Sequence, residues 1–148
     1  MGIDATLVML GHKLKRTGIE VVRHYGADVP RVCVYGSELN QVWTNLLDNA
    51  IDALGQSGTI TIATAPWHET GVEVTIADDG PGIPEDVQRR VFEPFYTTKA
   101  VGSGTGLGLD TTLRIIRDRH DGTIGVRSRP GETVFTVRLP RAPGERNA

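Results

Sequence analysis

The sequence predicts an α+β fold: a two-layer α/β sandwich, with three main helices on one face of a mixed, mostly antiparallel sheet. Three observations carry this. Apolar residues recur at helical spacing in separated stretches. Short segments between and after them alternate apolar and polar with period two. Those segments are joined by turn-forming tetrapeptides, which suits antiparallel neighbours.

The elements follow in order. Ile3, Leu7, Leu10 and Leu14 lie four, three and four apart, a helical stripe that ends before Gly18. The same spacing suits a helix continuing from an upstream coiled coil. The basic run HKLKR is its solvated end, where cations suit the helix dipole. IEVVRHY and RVCVYG read as strands separated by the turn ADVP. A second helix runs from about Ser37 to Leu54. Its apolar set, Leu39, Val42, Trp43, Leu46, Leu47, Ala50, Ile51 and Leu54, makes one broad face, and GQSG ends it. TITIATAPW and VEVTIADD alternate as strands linked by HETG. After DDGPGIP comes a short helix around Glu85 to Val91. A third helix starts near Thr105 and runs to about His120. GTIGVRS and ETVFTVRLP, joined by RPGE, close as a hairpin. The expected division is an N-terminal helix over 1–17, a domain over 18–140 and a flexible tail over 141–148.

Composition bounds the function. The 148 residues suffice for one domain with its own core, and 39% hydrophobic with 23% charged residues is ordinary for a soluble globular protein. A net charge of -2 offers no electrostatic footprint for nucleic acid or an anionic membrane. A single cysteine, Cys33, excludes an internal disulfide, suits a reducing cytoplasm and reads as a small buried residue. No apolar run approaches a membrane span, and Asp4 stands where a signal peptide would be basic. His12, His24, His68 and His120 are scattered without zinc-ligand spacing and read as surface or turn histidines.

Four constellations hold candidate chemistry. On the second helix, Glu38, Gln41, Asn45, Asn49 and Asp52 form a narrow stripe opposite the apolar face. Asparagine is a poor helix former, so two on one line need a reason. The stripe is either a solvated face or a set of oxygens for a hard cation. Asp78-Asp79-Gly80-Pro81-Gly82-Ile83 follows a strand directly. It is either an acidic turn or a place where a strand-end carboxylate accepts from an exocyclic amine while the glycines admit a flat ligand. GSGTGLGLD carries glycines at 102, 104, 106 and 108. It is either a flexible linker or a phosphate site at a helix start. It is neither a P-loop nor a Rossmann fingerprint. In FEPFYTTK, Phe92 and Phe95 form a satellite cluster or pin a lid, and Thr97, Thr98 and Lys99 offer hydroxyls and a cation for phosphate.

Together the four resemble the ATP-binding catalytic domain of the histidine protein kinases, in the superfamily shared with gyrase, the heat-shock chaperone ATPases and mismatch-repair ATPases. NLLDNAIDA resembles the N box, DDGPGI the first glycine box, FEPF the F box and GTGLGL the second glycine box. The resemblance implies a Bergerat-type sandwich that binds Mg-ATP beneath a lid. It places Asn49 on Mg²⁺, with Asn45 and Asp52 on the same face and Asn45 near the phosphates. Asp78 would read the adenine amine, with Gly80, Gly82 and Ile83 around the base. Gly104, Thr105, Gly106, Leu107 and Gly108 would meet the phosphates. Phe95, Thr98 and Lys99 would belong to the lid, Lys99 approaching the γ-phosphate. Thr133, in GETVF, matches a threonine that supports the adenine site.

Two departures matter. The ATP-hydrolysing relatives carry a glutamate four residues before the Mg-binding asparagine, as general base; here that position is Asn45. An amide takes no proton at neutral pH, so the site is expected to hold ATP without hydrolysing it efficiently. Nor does any histidine stand in the H-[DE]-x-x-x-P setting of a phosphoacceptor, so the acceptor is expected on a separate dimerising domain, in cis or in trans. The resemblance further implies a response regulator as partner and a homodimeric parent. A stand-alone anti-sigma-type serine/threonine kinase and a nucleotide-sensing module without catalysis share these boxes and stay open.

Overall fold

The computed structural model describes residues 2–27, 29, 34–68, 70–93 and 108–140. Helices α1 (Gly2–Met9) and α2 (Gly11–Lys15) lead into strand β1 (Gly18–Tyr25). Helix α3 (Gly36–Leu54) follows, then β2 (Ser57–Trp67), β3 (Gly71–Asp78) and the short α4 (Glu85–Gln88). Helix α5 (Gly108–Arg114) continues as a π-helical turn, Ile115–Arg119, before β4 (Thr123–Arg129) and β5 (Glu132–Leu139). Of RVCVYG, residues 31–33 lie outside the described residues. Val34 and Tyr35 are not strand, and Gly36 already opens α3, so the expected second strand does not extend over 34–36. Tyr35 is the extended residue before the helix, and its carbonyl accepts from the Leu39 N–H, the first helical bond.

The sheet has order β1-β2-β3-β5-β4. Three of its pairings are antiparallel; β1 and β2 alone run parallel, from Gly18 opposite Ser57 to Tyr25 opposite Thr64. Parallel neighbours need a crossover, and α3 supplies it. One sheet face is apolar by alternation: Ile60 and Ile62 on β2, Val72, Val74 and Ile76 on β3, and Phe135, Val137 and Leu139 on β5 are all buried. The apolar side of α3, with Val42, Trp43, Leu46 and Leu47 almost wholly buried, packs onto it. Ile3 and Leu7 of α1 join the same core through α3. The mixed, mostly antiparallel sheet and its helical layer are as the periodicities predict.

The end of the helical layer shows a further departure. His120 is 2% exposed, not a surface histidine. Its Nδ1 lies 3.0 Å from the Ile115 carbonyl, and its Nε2 accepts from the Tyr35 N–H at 3.0 Å. A carbonyl only accepts and an N–H only donates, so Nδ1 carries the proton and the ring is neutral in this arrangement. The contact ties the π-helical turn to the start of α3. His24 and His68 are exposed, His68 in the β2–β3 turn at φ 54°.

Candidate active site

β3 runs Val72, Val74, Ile76, Asp78 along one face, so the two-residue period carries a carboxylate onto the apolar side at the strand's end. Asp78 is 6% exposed. Its Oδ1 accepts from the Gly80 N–H at 3.0 Å. Burial raises its pKa above the usual carboxylate range; the Gly80 hydrogen bond opposes this, and the neighbouring Asp79 charge adds to it. Asp79 has a different task. Its Oδ1 accepts from the Thr59 N–H at 2.8 Å, stapling the strand end to β2.

The glycines after Asp78 are where a side chain has no room. A Cβ on Gly80 would come 2.9 Å from Asp78 Oδ1 and 3.4 Å from the Ala53 carbonyl, which brings this loop against the end of α3. Gly82 has φ +89°, and a Cβ there would come 2.4 Å from the Arg129 carbonyl. Glycine alone meets both demands.

The next residue, Ile83, donates its N–H to Ser128 Oγ at 2.7 Å. Gln88 then clamps both sides, donating to the Ile83 carbonyl at 2.7 Å and the Ser128 carbonyl at 3.0 Å. The glycine loop is thereby fastened to the β4–β5 hairpin. Thr133 of that hairpin is 4% exposed and pairs in register with Asp78.

On α3, Asn45 is half-buried, not solvated. Its Nδ2 donates to the Gly108 carbonyl at 3.0 Å and to Thr112 Oγ1 at 3.2 Å. Thr112 in turn donates to the Gly108 carbonyl at 2.8 Å. The amide nitrogen is thus turned toward α5, and Oδ1 is the acceptor of this side chain. Asn49 is one turn further on, half-buried on the same side, and Asp52 beyond it is exposed.

The fold therefore brings Asn45 and Gly108 together, with Asn49 one turn further along α3. It brings Asp78, Gly80, Gly82, Ile83 and Thr133 together beyond the C-terminal end of α3. Gly102, Gly104, Thr105, Gly106 and Leu107, and Phe95, Thr97, Thr98 and Lys99, expected in a lid, lie outside the described residues, as do Cys33 and 141–148. Phe92 is described and packs edge-on against Phe135, ring centres 6.4 Å apart. Ser128, Gln88, Thr112 and the stapling role of Asp79 were not foreseen. Nothing local marks the first three. For Asp79 the alternation along β3 was a usable signal, since it turns Asp78 inward and Asp79 away.

A buried strand-end carboxylate beside a glycine turn, set against the end of a helix that carries two amides, fits a nucleotide-handling α/β sandwich. Residues 35–143 match the family described as Histidine kinase-, DNA gyrase B-, and HSP90-like ATPase, and the chain belongs to it. Within that family it is of the ATP-binding catalytic type found in sensor histidine kinases. The sensory histidine kinase/phosphatase NtrB of Rhodobacter capsulatus is 37% identical over 137 residues, 84% of this chain and 38% of that protein. Sporulation kinase A of Bacillus subtilis is 43% identical over 140 residues, 94% of this chain and 22% of that protein. The chain thus spans well under half the length of these relatives. The solved catalytic domain of histidine kinase ThkA superposes with a TM-score of 0.87 at 34% identity, covering 98% of this chain and 93% of that one.

Proposed function

We propose that the chain is the phosphoryl-donating part of a sensor histidine kinase: it binds Mg-ATP and passes the γ-phosphoryl group to a histidine on a separate dimerising domain. The observation that carries the choice of kinase over hydrolase is Asn45. The residue four before Asn49 is an amide whose nitrogen donates to Gly108 and Thr112. It has no proton-accepting form at neutral pH to activate water. Similarity to named histidine kinases favours a histidine acceptor over a serine or threonine. ThkA has been solved in complex with the response regulator TrrA, and we extend a partner of that kind to the parent of this chain.

The residues divide the work. Asp78 accepts from the exocyclic amine of adenine, and its burial makes the contact strong and selective. Gly80 and Gly82 let the backbone approach the base. Asn49 and Asn45 carry neutral amide oxygens, the chemistry a hard Mg²⁺ accepts alongside phosphate and water. When bound, that ion neutralises phosphate charge. Gly108, with the glycine run before it, and Lys99 would meet the phosphates. Transfer then rests on positioning and charge neutralisation instead of on a protein base.

The test pairs calorimetry with phosphotransfer. The chain is titrated with ATP and GTP, with and without Mg²⁺, then incubated with labelled ATP and a purified phosphoacceptor hairpin of a related kinase. Mg²⁺-dependent ATP binding, weak turnover and label on the acceptor histidine are expected. Rapid hydrolysis with no transfer would instead mark a hydrolase. Binding with neither outcome would mark a nucleotide-sensing module.

A further inference from the structure

Ser128 stands at a junction between the glycine loop and the base end of the proposed site. Its Oγ meets three groups: the Ile83 N–H at 2.7 Å, the Glu132 carbonyl at 3.1 Å and the Thr133 hydroxyl at 2.7 Å. A serine hydroxyl has one proton and two lone pairs. The Ile83 N–H only donates and the Glu132 carbonyl only accepts. The Ser128 proton therefore goes to Glu132, and one lone pair takes the Ile83 N–H. The second lone pair takes the proton of Thr133. No other assignment satisfies all three contacts.

The consequence falls on Thr133. With its proton held by Ser128, Thr133 Oγ1 presents only lone pairs to a ligand. Thr133 is the register partner of Asp78, and both side chains are buried on the same face of the sheet. Two acceptors thus stand side by side. An exocyclic amine has two hydrogens for such a pair, whereas a carbonyl at the same place meets repulsion from both. Gln88 holds the arrangement by bonding the Ile83 and Ser128 carbonyls together.

We infer that Ser128 is a specificity-determining residue: by taking the Thr133 proton it makes the base end of the site a double acceptor, selective for a 6-aminopurine over a 6-oxopurine. Ser128 acts through Thr133 and is a positioning residue. The inference rests on the nucleotide site proposed above.

The full chain is titrated by calorimetry with Mg-ATP and with Mg-ITP, which differ at the purine 6 position. The unmodified chain prefers ATP. In Ser128→Ala, Thr133 is released to turn its proton outward, and the preference shrinks by about three- to tenfold, the worth of one hydrogen bond. Ser128→Thr keeps the hydroxyl and restores the preference. Thr133→Val removes the second acceptor while leaving Ser128 its contacts with Ile83 and Glu132, so it decides the matter if Ser128→Ala fails to fold: a shrunken preference supports the double acceptor, an unchanged one overturns it. An unchanged ratio in folded Ser128→Ala, or no rescue by Ser128→Thr, also overturns the role of Ser128. A chain that binds neither nucleotide defeats the nucleotide site itself, and with it this inference.

Discussion

Asn45 and Gly108 are joined across 63 positions of sequence by a 3.0 Å hydrogen bond from the asparagine amide to the glycine carbonyl. The bond fastens the polar side of α3 to the first residue of α5. A Cβ on Gly108 would sit 3.5 Å from Asn45 Cγ, so the two elements are in contact there as well as bonded. Asn45 is thus structural on its nitrogen side.

That geometry separates the effects of three substitutions at position 45. Asn45→Ala removes two hydrogen bonds at a half-buried place and is expected to destabilise the chain by roughly 1–2 kcal/mol. Asn45→Asp is nearly isosteric but carries no hydrogen to donate, so it sets a carboxylate against the Gly108 carbonyl. It is expected to be the more harmful, at about 2–3 kcal/mol. Urea denaturation at neutral pH ranks them, and an aspartate variant as stable as the parent would show the assigned bond to be wrong. Asn45→Glu places a base where the hydrolysing relatives have one, and is expected to raise phosphate release in a steady-state assay.

Asn49→Ala tests the cation. Loss of an oxygen donor to a charged ligand weakens ATP binding by about ten- to hundredfold in the presence of Mg²⁺. Without the ion, parent and variant should bind alike. Equal Mg²⁺ dependence in the two would remove Asn49 from the metal site.

Asp78 gives a pH signature. Its folded pKa is raised, chiefly by burial. The folded state therefore holds this proton more tightly than the unfolded one. The stability it contributes is complete below the ordinary aspartate pKa and is lost as pH rises through the raised value. Asp78→Asn cannot ionise, so relative to the parent it should gain in melting temperature as pH rises from acid to neutral. The same variant should lose its preference for ATP over GTP, because an amide offers a donor as well as an acceptor. Parallel melting curves for parent and variant across that pH range would contradict the assignment.

Gly82→Ala tests the backbone of the loop. A φ of +89° is strained for alanine, and the added Cβ would run into the Arg129 carbonyl. A cost of about 1–3 kcal/mol from backbone strain alone is expected, with the clash adding to it. Because the loop carries Ile83 into the Ser128 and Gln88 network, ATP affinity should fall together with stability. Thermal denaturation and calorimetry on one preparation check both.

Much of this protein is legible in its residue order. Period-two alternation in TITIA and VEVTIAD selects the sheet face that α3 covers, and the i, i+3, i+4 stripe of α3 selects the covering side. Both signals are local, because the direction of a side chain follows from its own backbone. The same alternation carries Asp78 inward. The amide at 45, where hydrolysing relatives have a carboxylate, is a matter of residue identity and needs no coordinates.

What the chain order leaves open depends on which distant backbone groups meet. The parallel pairing of β1 with β2 has no local signature, since parallel and antiparallel strands share one side-chain period. Tyr35 is a strand-like residue, yet the buried ring of His120 and the start of α3 take up its N–H and its carbonyl. The nitrogen of Asn45 finds its partners 63 and 67 residues away. Ser128 is an ordinary polar residue in a strand until the fold places Ile83, Glu132 and Thr133 around its single proton. Hydrogen bonds are short and directional, so their pattern is settled only when the layers have packed and each donor has one acceptor within reach.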